Sequence, residues 1–120
     1  MILISVLGSN SMFRSIVVSG LACIVLSNVA QAQTQVFELS IQDHTFEPAE
    51  LTIPADTKVK LKVMNQDKTA EEFESYDFNR EKIIPGNSEA MIFVGPLKAG
   101  EYKFFGEFNP KTAQGVLKVE

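Results

Sequence analysis

The chain has 120 residues, with 11 Lys and Arg against 15 Asp and Glu, one His, one Cys and no Trp, for a formal net charge of −4. An acidic balance of this kind argues against nucleic acid or anionic lipid as a partner. A single cysteine allows no internal disulfide.

Residues 1–32 read as an export signal. Arg14 gives a basic start, "SIVVSGLACIVLS" an apolar run, and Ala30-Gln31-Ala32 a small-residue cleavage site. Cys23 lies inside the apolar run, where Gly20 and the continuing "IVL" disfavour lipidation. Cleavage after Ala32 leaves residues 33–120 as one domain without cysteine, carrying 10 basic against 15 acidic residues. No later apolar stretch is long enough to span a bilayer, so the expected location after processing is the periplasm, free of the membrane.

From residue 33 onward, short alternating runs separated by turn clusters predict an antiparallel β-sandwich. "VFELSIQD" points Phe37, Leu39 and Ile41 one way; "KVKLKVM" points Val59, Leu61 and Val63 inward and Lys58, Lys60 and Lys62 outward. Turn residues fill "IPADT", "NQDK", "IPGNS" and "LKAGEY". Strands are expected near 35–43, 50–53, 57–65, 71–76, 89–94, 100–106 and 115–119, seven in all, with "DFNREKI" a candidate helical turn.

Nucleophilic catalysis has little to work with: there is one histidine, no glycine-flanked serine elbow, no phosphate loop and no dinucleotide fingerprint. Metal binding is the better chemical reading. "EEFESYDFNRE" gathers Glu71, Glu72, Glu74, Asp77 and Glu81 within eleven residues. Interleaved Lys68, Arg80 and Lys82 also allow the plain reading of a solvated charged face. On a strand, Glu72 and Glu74 share one face while Phe73 enters the core. His44 follows a strand and precedes "TFEP", and Met91 in "AMIFV" is a packing residue by default. Glu107, flanked by Gly106 and the phenylalanines 105 and 108, is expected in apolar surroundings, where a carboxylate resists ionisation unless a cation or donor meets it.

Two stretches carry a resemblance. "FEPAELTIPADTKVKLKVMNQD" resembles the F-x-P-x-x-L-x-V-x-x-G-x-x-V-x-x-x-N opening of the cupredoxins, with Asp56 at the usual glycine; "GEYKFFGEFNPKTAQGVLKV" resembles their closing G-x-Y-x-F-x-C-x-x-H loop and last strand. The resemblance implies an all-β, cupredoxin-like Greek-key β-sandwich. It also places Gly106 at the cysteine ligand and Asn109 at the second histidine, with Glu71 and Glu72 in the first-histidine region. Without the thiolate, a blue electron-transfer site is excluded.

"NQDKTAEEFESYDFNREKIIPG" and "FFGEFNP" are similar to the EfeO-type cupredoxin-like domains, which are associated with bacterial iron uptake. Some members carry cysteines at the positions of Phe46 and Gly106, and the position of Glu72 keeps its carboxylate. The resemblance implies a periplasmic protein that binds copper and/or iron through Glu72, Glu107 and His44. Glu74, on the same strand face as Glu72, and Met91 are further candidates. It also implies iron-transport components as partners and a possible ferrous-iron oxidation activity. Oxygen ligands in place of sulfur favour the harder ions Fe(III) and Cu(II). Two rival readings are a metal-free sandwich adaptor whose acidic rim docks a basic partner, and a non-redox copper or iron chaperone.

Overall fold

A computed structural model describes residues 33–120, so the export-signal reading of residues 1–32 lies outside the described residues. Nine strands run in chain order: β1 Val36–Gln42, β2 Thr45–Glu47, β3 Glu50–Ile53, β4 Val59–Asn65, β5 Glu71–Ser75, β6 Arg80–Ile84, β7 Ser88–Val94, β8 Gly100–Gly106 and β9 Gln114–Val119. They form two sheets, one ordered β2-β1-β4-β7 and the other β3-β9-β8-β5-β6. The sandwich is therefore all-β among the described residues, as expected. β1 lies parallel to β4 and β3 parallel to β9, and the other pairings are antiparallel.

Two strands were not among the seven expected. β2 is only three residues long and pairs back onto β1 through a two-residue turn in which Asp43 and His44 both have φ near +55° (53° and 57°). Both values are those of a type I′ hairpin turn, whose twist matches the flanking strands. β6 replaces the candidate helical turn: the chain reverses over 76–79, with Asn79 in the left-handed region, and returns as a strand beside β5. Ser75 drives the reversal, its hydroxyl donating to the Lys103 carbonyl at 2.6 Å and accepting from the Phe78 amide at 3.2 Å.

The core follows from strand parity. In β4, Val59, Leu61, Val63 and Asn65 are buried while Lys60, Lys62 and Met64 face outward. Phe73 and Phe104, on neighbouring strands of the five-stranded sheet, stack with centroids 5.2 Å apart, and Phe46 of the other sheet meets both rings edge-on at 6.0 and 5.0 Å. Asn65, the polar end of β4, donates to the Thr69 and Ile84 carbonyls at 2.9 and 3.0 Å and accepts from the Asp67 amide. This ties the β4–β5 connection to the end of β6.

Candidate metal centre

Strand β5 is the centre of the site because its two faces carry different chemistry. Glu71, Phe73 and Ser75 point into the sandwich; Glu72 and Glu74 point outward from the five-stranded sheet. The β5–β6 register sets Glu81 directly opposite Glu74, and the three carboxylates of Glu72, Glu74 and Glu81 each offer an oxygen within 4.8 Å of the others. Glu107 follows the last residue of β8, and its amide donates to the Glu72 carbonyl at 2.8 Å, which brings its carboxylate alongside the group.

Glu72 is only 8% exposed, yet among the described residues no N–H or O–H donor meets its carboxylate except through Glu81. That shared hydrogen bond, then desolvation and the charges of Glu81, Glu74 and Glu107, push the Glu72 carboxyl up to about 7. Glu74 is raised by desolvation and by Glu81 and Glu107. Even the exposed Tyr76 phenol is raised, chiefly by Glu74, so the negative field extends along the outer face.

Like charges held this close favour uptake of a proton or a cation. An all-oxygen donor set fits a hard or borderline ion.

The position resembling a blue-copper pocket does not fit copper of that kind. Glu71 is 1% exposed and fills it: Oε1 accepts from the Glu72 amide at 3.0 Å and the Phe108 amide at 2.9 Å, and Oε2 accepts from Asn109 Nδ2 at 2.8 Å. A Cβ on Gly106 would lie 2.6 Å from the Glu71 Cδ and 2.8 Å from Oε2. The residue at the cysteine position is thus a glycine because a carboxylate occupies the space.

The five sequence candidates fall in three places. Glu72 and Glu74 come together, with Glu107 beside them. His44 sits in the β1–β2 turn, where the Asp67 carboxylate accepts from the Asp43 and His44 amides at 2.7 and 3.0 Å and faces His44 Nδ1 at 3.5 Å. Those amides, His44 first, hold the Asp67 carboxyl below the usual range. Met91 is exposed on the outer face of the four-stranded sheet, opposite Lys62 in β4, and so looks away from the carboxylates.

The apolar enclosure expected around Glu107 is also not found. Parity turns Gly106 inward and Glu107 out to solvent, so Glu71 takes the enclosed place. Glu81, which completes the group, belongs to the acidic stretch read from the sequence, but its place opposite Glu74 depends on the β5–β6 hairpin, where a helical turn was expected. Glu71 had a legible signal: it shares strand parity with Phe73.

The model of the cupredoxin-like domain family matches residues 15–119. The chain belongs to the cupredoxin-like family. Among solved structures, the fold resembles auracyanin A, a "blue" copper protein of Chloroflexus aurantiacus, with a TM-score of 0.63 at 15% identity, covering 73% of this chain and 100% of that one. It also resembles the metal binding domain of the Streptococcus pneumoniae D39 Cu(I)-exporting P-type ATPase CopA, with a TM-score of 0.61 at 13% identity, covering 75% of this chain and 91% of that one. A relative closer in sequence is the uncharacterized protein RP394 of Rickettsia prowazekii (strain Madrid E), 44% identical over 82 residues. That alignment spans 68% of this chain and 66% of the relative, just under two thirds of its length.

Proposed function

We propose that this cupredoxin-like protein is an exported metal-binding accessory of iron transport, and that it holds an iron or copper ion on Glu72, Glu74 and Glu81 with Glu107 beside them. The observation that carries the reading is the geometry of the three carboxylates, each offering an oxygen within 4.8 Å of the others, with Glu72 only 8% exposed; their closeness also raises the Glu72 carboxyl to about 7. A group in that position gains most when a multivalent cation replaces the shared proton.

Anionic oxygen donors stabilise Fe(III) more than Fe(II). Given a one-electron acceptor of the copper(II) class, one electron would leave Fe(II) and the resulting Fe(III) would stay on the carboxylates. The EfeO-type resemblance supports an iron-uptake setting in the periplasm, and the Glu72 carboxylate belongs to that resemblance.

The metal-free adaptor reading has one observation in its favour. Below about pH 7 a proton shared by Glu72 and Glu81 satisfies the site without any metal. Titration of residues 33–120 with Cu(II) and with Fe(III) at pH 7.5, followed by electron paramagnetic resonance, separates the readings. One protein-bound signal is expected per chain, weakened at least tenfold in affinity in Glu72→Gln and Glu81→Gln. A wild-type spectrum identical to that of the free ions rules the metal reading out. Binding without acceptor-dependent Fe(II) oxidation leaves the non-redox chaperone.

A further inference from the structure

The inward face of β5 carries a second carboxylate that takes no part in the outward group. Glu71 reaches past the last β5–β8 ladder pair, Phe73 with Gly106, and bonds the loop that follows β8. That loop is a closed unit. The Gly106 amide donates to the Ala113 carbonyl at 2.8 Å, the Asn109 amide to the Gly106 carbonyl at 3.1 Å, and the Ala113 amide to the Asn109 carbonyl at 2.9 Å. From the inside, Glu71 holds the loop to β5 through the Phe108 amide and the Asn109 side chain. Its hold from the β5 backbone is the Glu107 amide on the Glu72 carbonyl. Glu71 also accepts from the Glu72 amide, so a single buried carboxylate fixes both the start of β5 and the residue that follows Glu107.

We propose that Glu71 is the positioning residue of the carboxylate site: its three hydrogen bonds hold the 106–113 loop against β5 so that Glu107 stands beside Glu72. The functional meaning of this clamp rests on the carboxylate-site reading above. Glu71 faces the interior, on the side of β5 opposite the outward carboxylates, and acts through Glu72 and Phe108. The absence of a side chain on Gly106 belongs to the same device, because any Cβ there would displace the carboxylate. Three donors converge on two oxygens, and acceptance of N–H bonds is what makes a buried carboxylate tolerable without a counter-ion.

The test removes the acceptors and then restores them. Glu71→Met keeps the length of the side chain but offers the three donors no carboxylate oxygen, whereas Glu71→Gln keeps one acceptor oxygen for the two amides and can donate its NH2 to Asn109 Oδ1 once that amide turns over. Amide hydrogen exchange, recorded without metal, is expected to quicken at least tenfold at Glu107 and Phe108 in E71M while the Leu61 amide in β4 is unchanged. Cu(II) affinity is expected to fall at least tenfold. Both return to within threefold of wild type in E71Q.

Unchanged exchange at Glu107 and Phe108 overturns the clamp, and so does equal acceleration at Leu61, which would show general destabilisation. Faster local exchange with unaltered Cu(II) affinity overturns the positioning role. A wild type that binds no Cu(II) overturns the site reading itself, and the metal-free exchange data keep that failure separate from failure of the clamp.

Discussion

Restoring a side chain at Gly106 is the sharpest probe of how this chain fills the inside of its sandwich end. Gly106 does not need its glycine for backbone reasons, since the only glycines with φ in the left-handed range among the described residues are Gly95 and Gly100. The whole cost of Gly106→Ala is therefore steric. The new Cβ would meet the Glu71 Cδ at 2.6 Å, the Ala113 Cβ at 2.7 Å and the Glu71 Oε2 at 2.8 Å. None of these is the free end of a flexible surface chain, because Glu71 is tied by three hydrogen bonds and Ala113 is fully buried. Overpacking alone costs about 1 to 3 kcal/mol, and moving the carboxylate off even one of its donors adds to that, so the expected loss is about 2 to 4 kcal/mol. For a domain of this size that corresponds to a fall in Tm of about 10 to 25 °C. Urea denaturation with an unchanged slope would read the free energy, and a thermal melt would check it. In a Glu71→Ala background the Cδ and Oε2 contacts vanish while the Ala113 contact remains, so the cycle should show coupling of about 1 kcal/mol or more. A Gly106→Ala protein within about 0.5 kcal/mol of wild type would refute the account of the filled pocket.

Glu72 makes stability depend on pH in a definite direction. Its folded pKa of about 7 lies above the ordinary 4.5, so between these values the folded state binds more protons than the unfolded one, and stability should fall as pH rises through that window. Glu81→Gln, which removes the charge and offers an amide donor, should flatten that slope; carboxyl carbon NMR titration of Glu72 checks the cause. Asp67 works the other way. Its carboxyl is held below 3.8 by the His44 and Asp43 amides, so its contribution is present above that value and is lost as pH falls through the folded pKa. Asp67→Ala should cost about 1 to 2 kcal/mol by chemical denaturation and loosen the His44 turn, read as faster exchange of the two amides. Phe73→Ala empties the ring cluster with Phe46 and Phe104 and should cost about 3 to 5 kcal/mol, enough to leave much of the protein unfolded at 37 °C.

Much of the fold was legible because period-two alternation is a local property. The lysines of β4 and the inward Val59, Leu61 and Val63 can be assigned from their own neighbours, and so can the shared face of Glu72 and Glu74. β2 escaped because three residues are too few to show a period, and β6 escaped because "REKII" has none: four of its five residues are exposed at a sheet edge.

The site divides along the same line. The sequence by itself determined that residues 33–120 contain no cysteine and that an acidic segment lies across a strand and a turn. Only the tertiary structure decided which acids meet. Glu81 joins Glu72 and Glu74 through hairpin register, His44 goes to Asp67, and Met91 faces away on the other sheet. Glu71 and Gly106 share one volume although they lie 35 positions apart. Side-chain direction is set by the local backbone, but a carboxylate's partners depend on which strands pair and in what register, and that pairing is fixed by burial of the whole core.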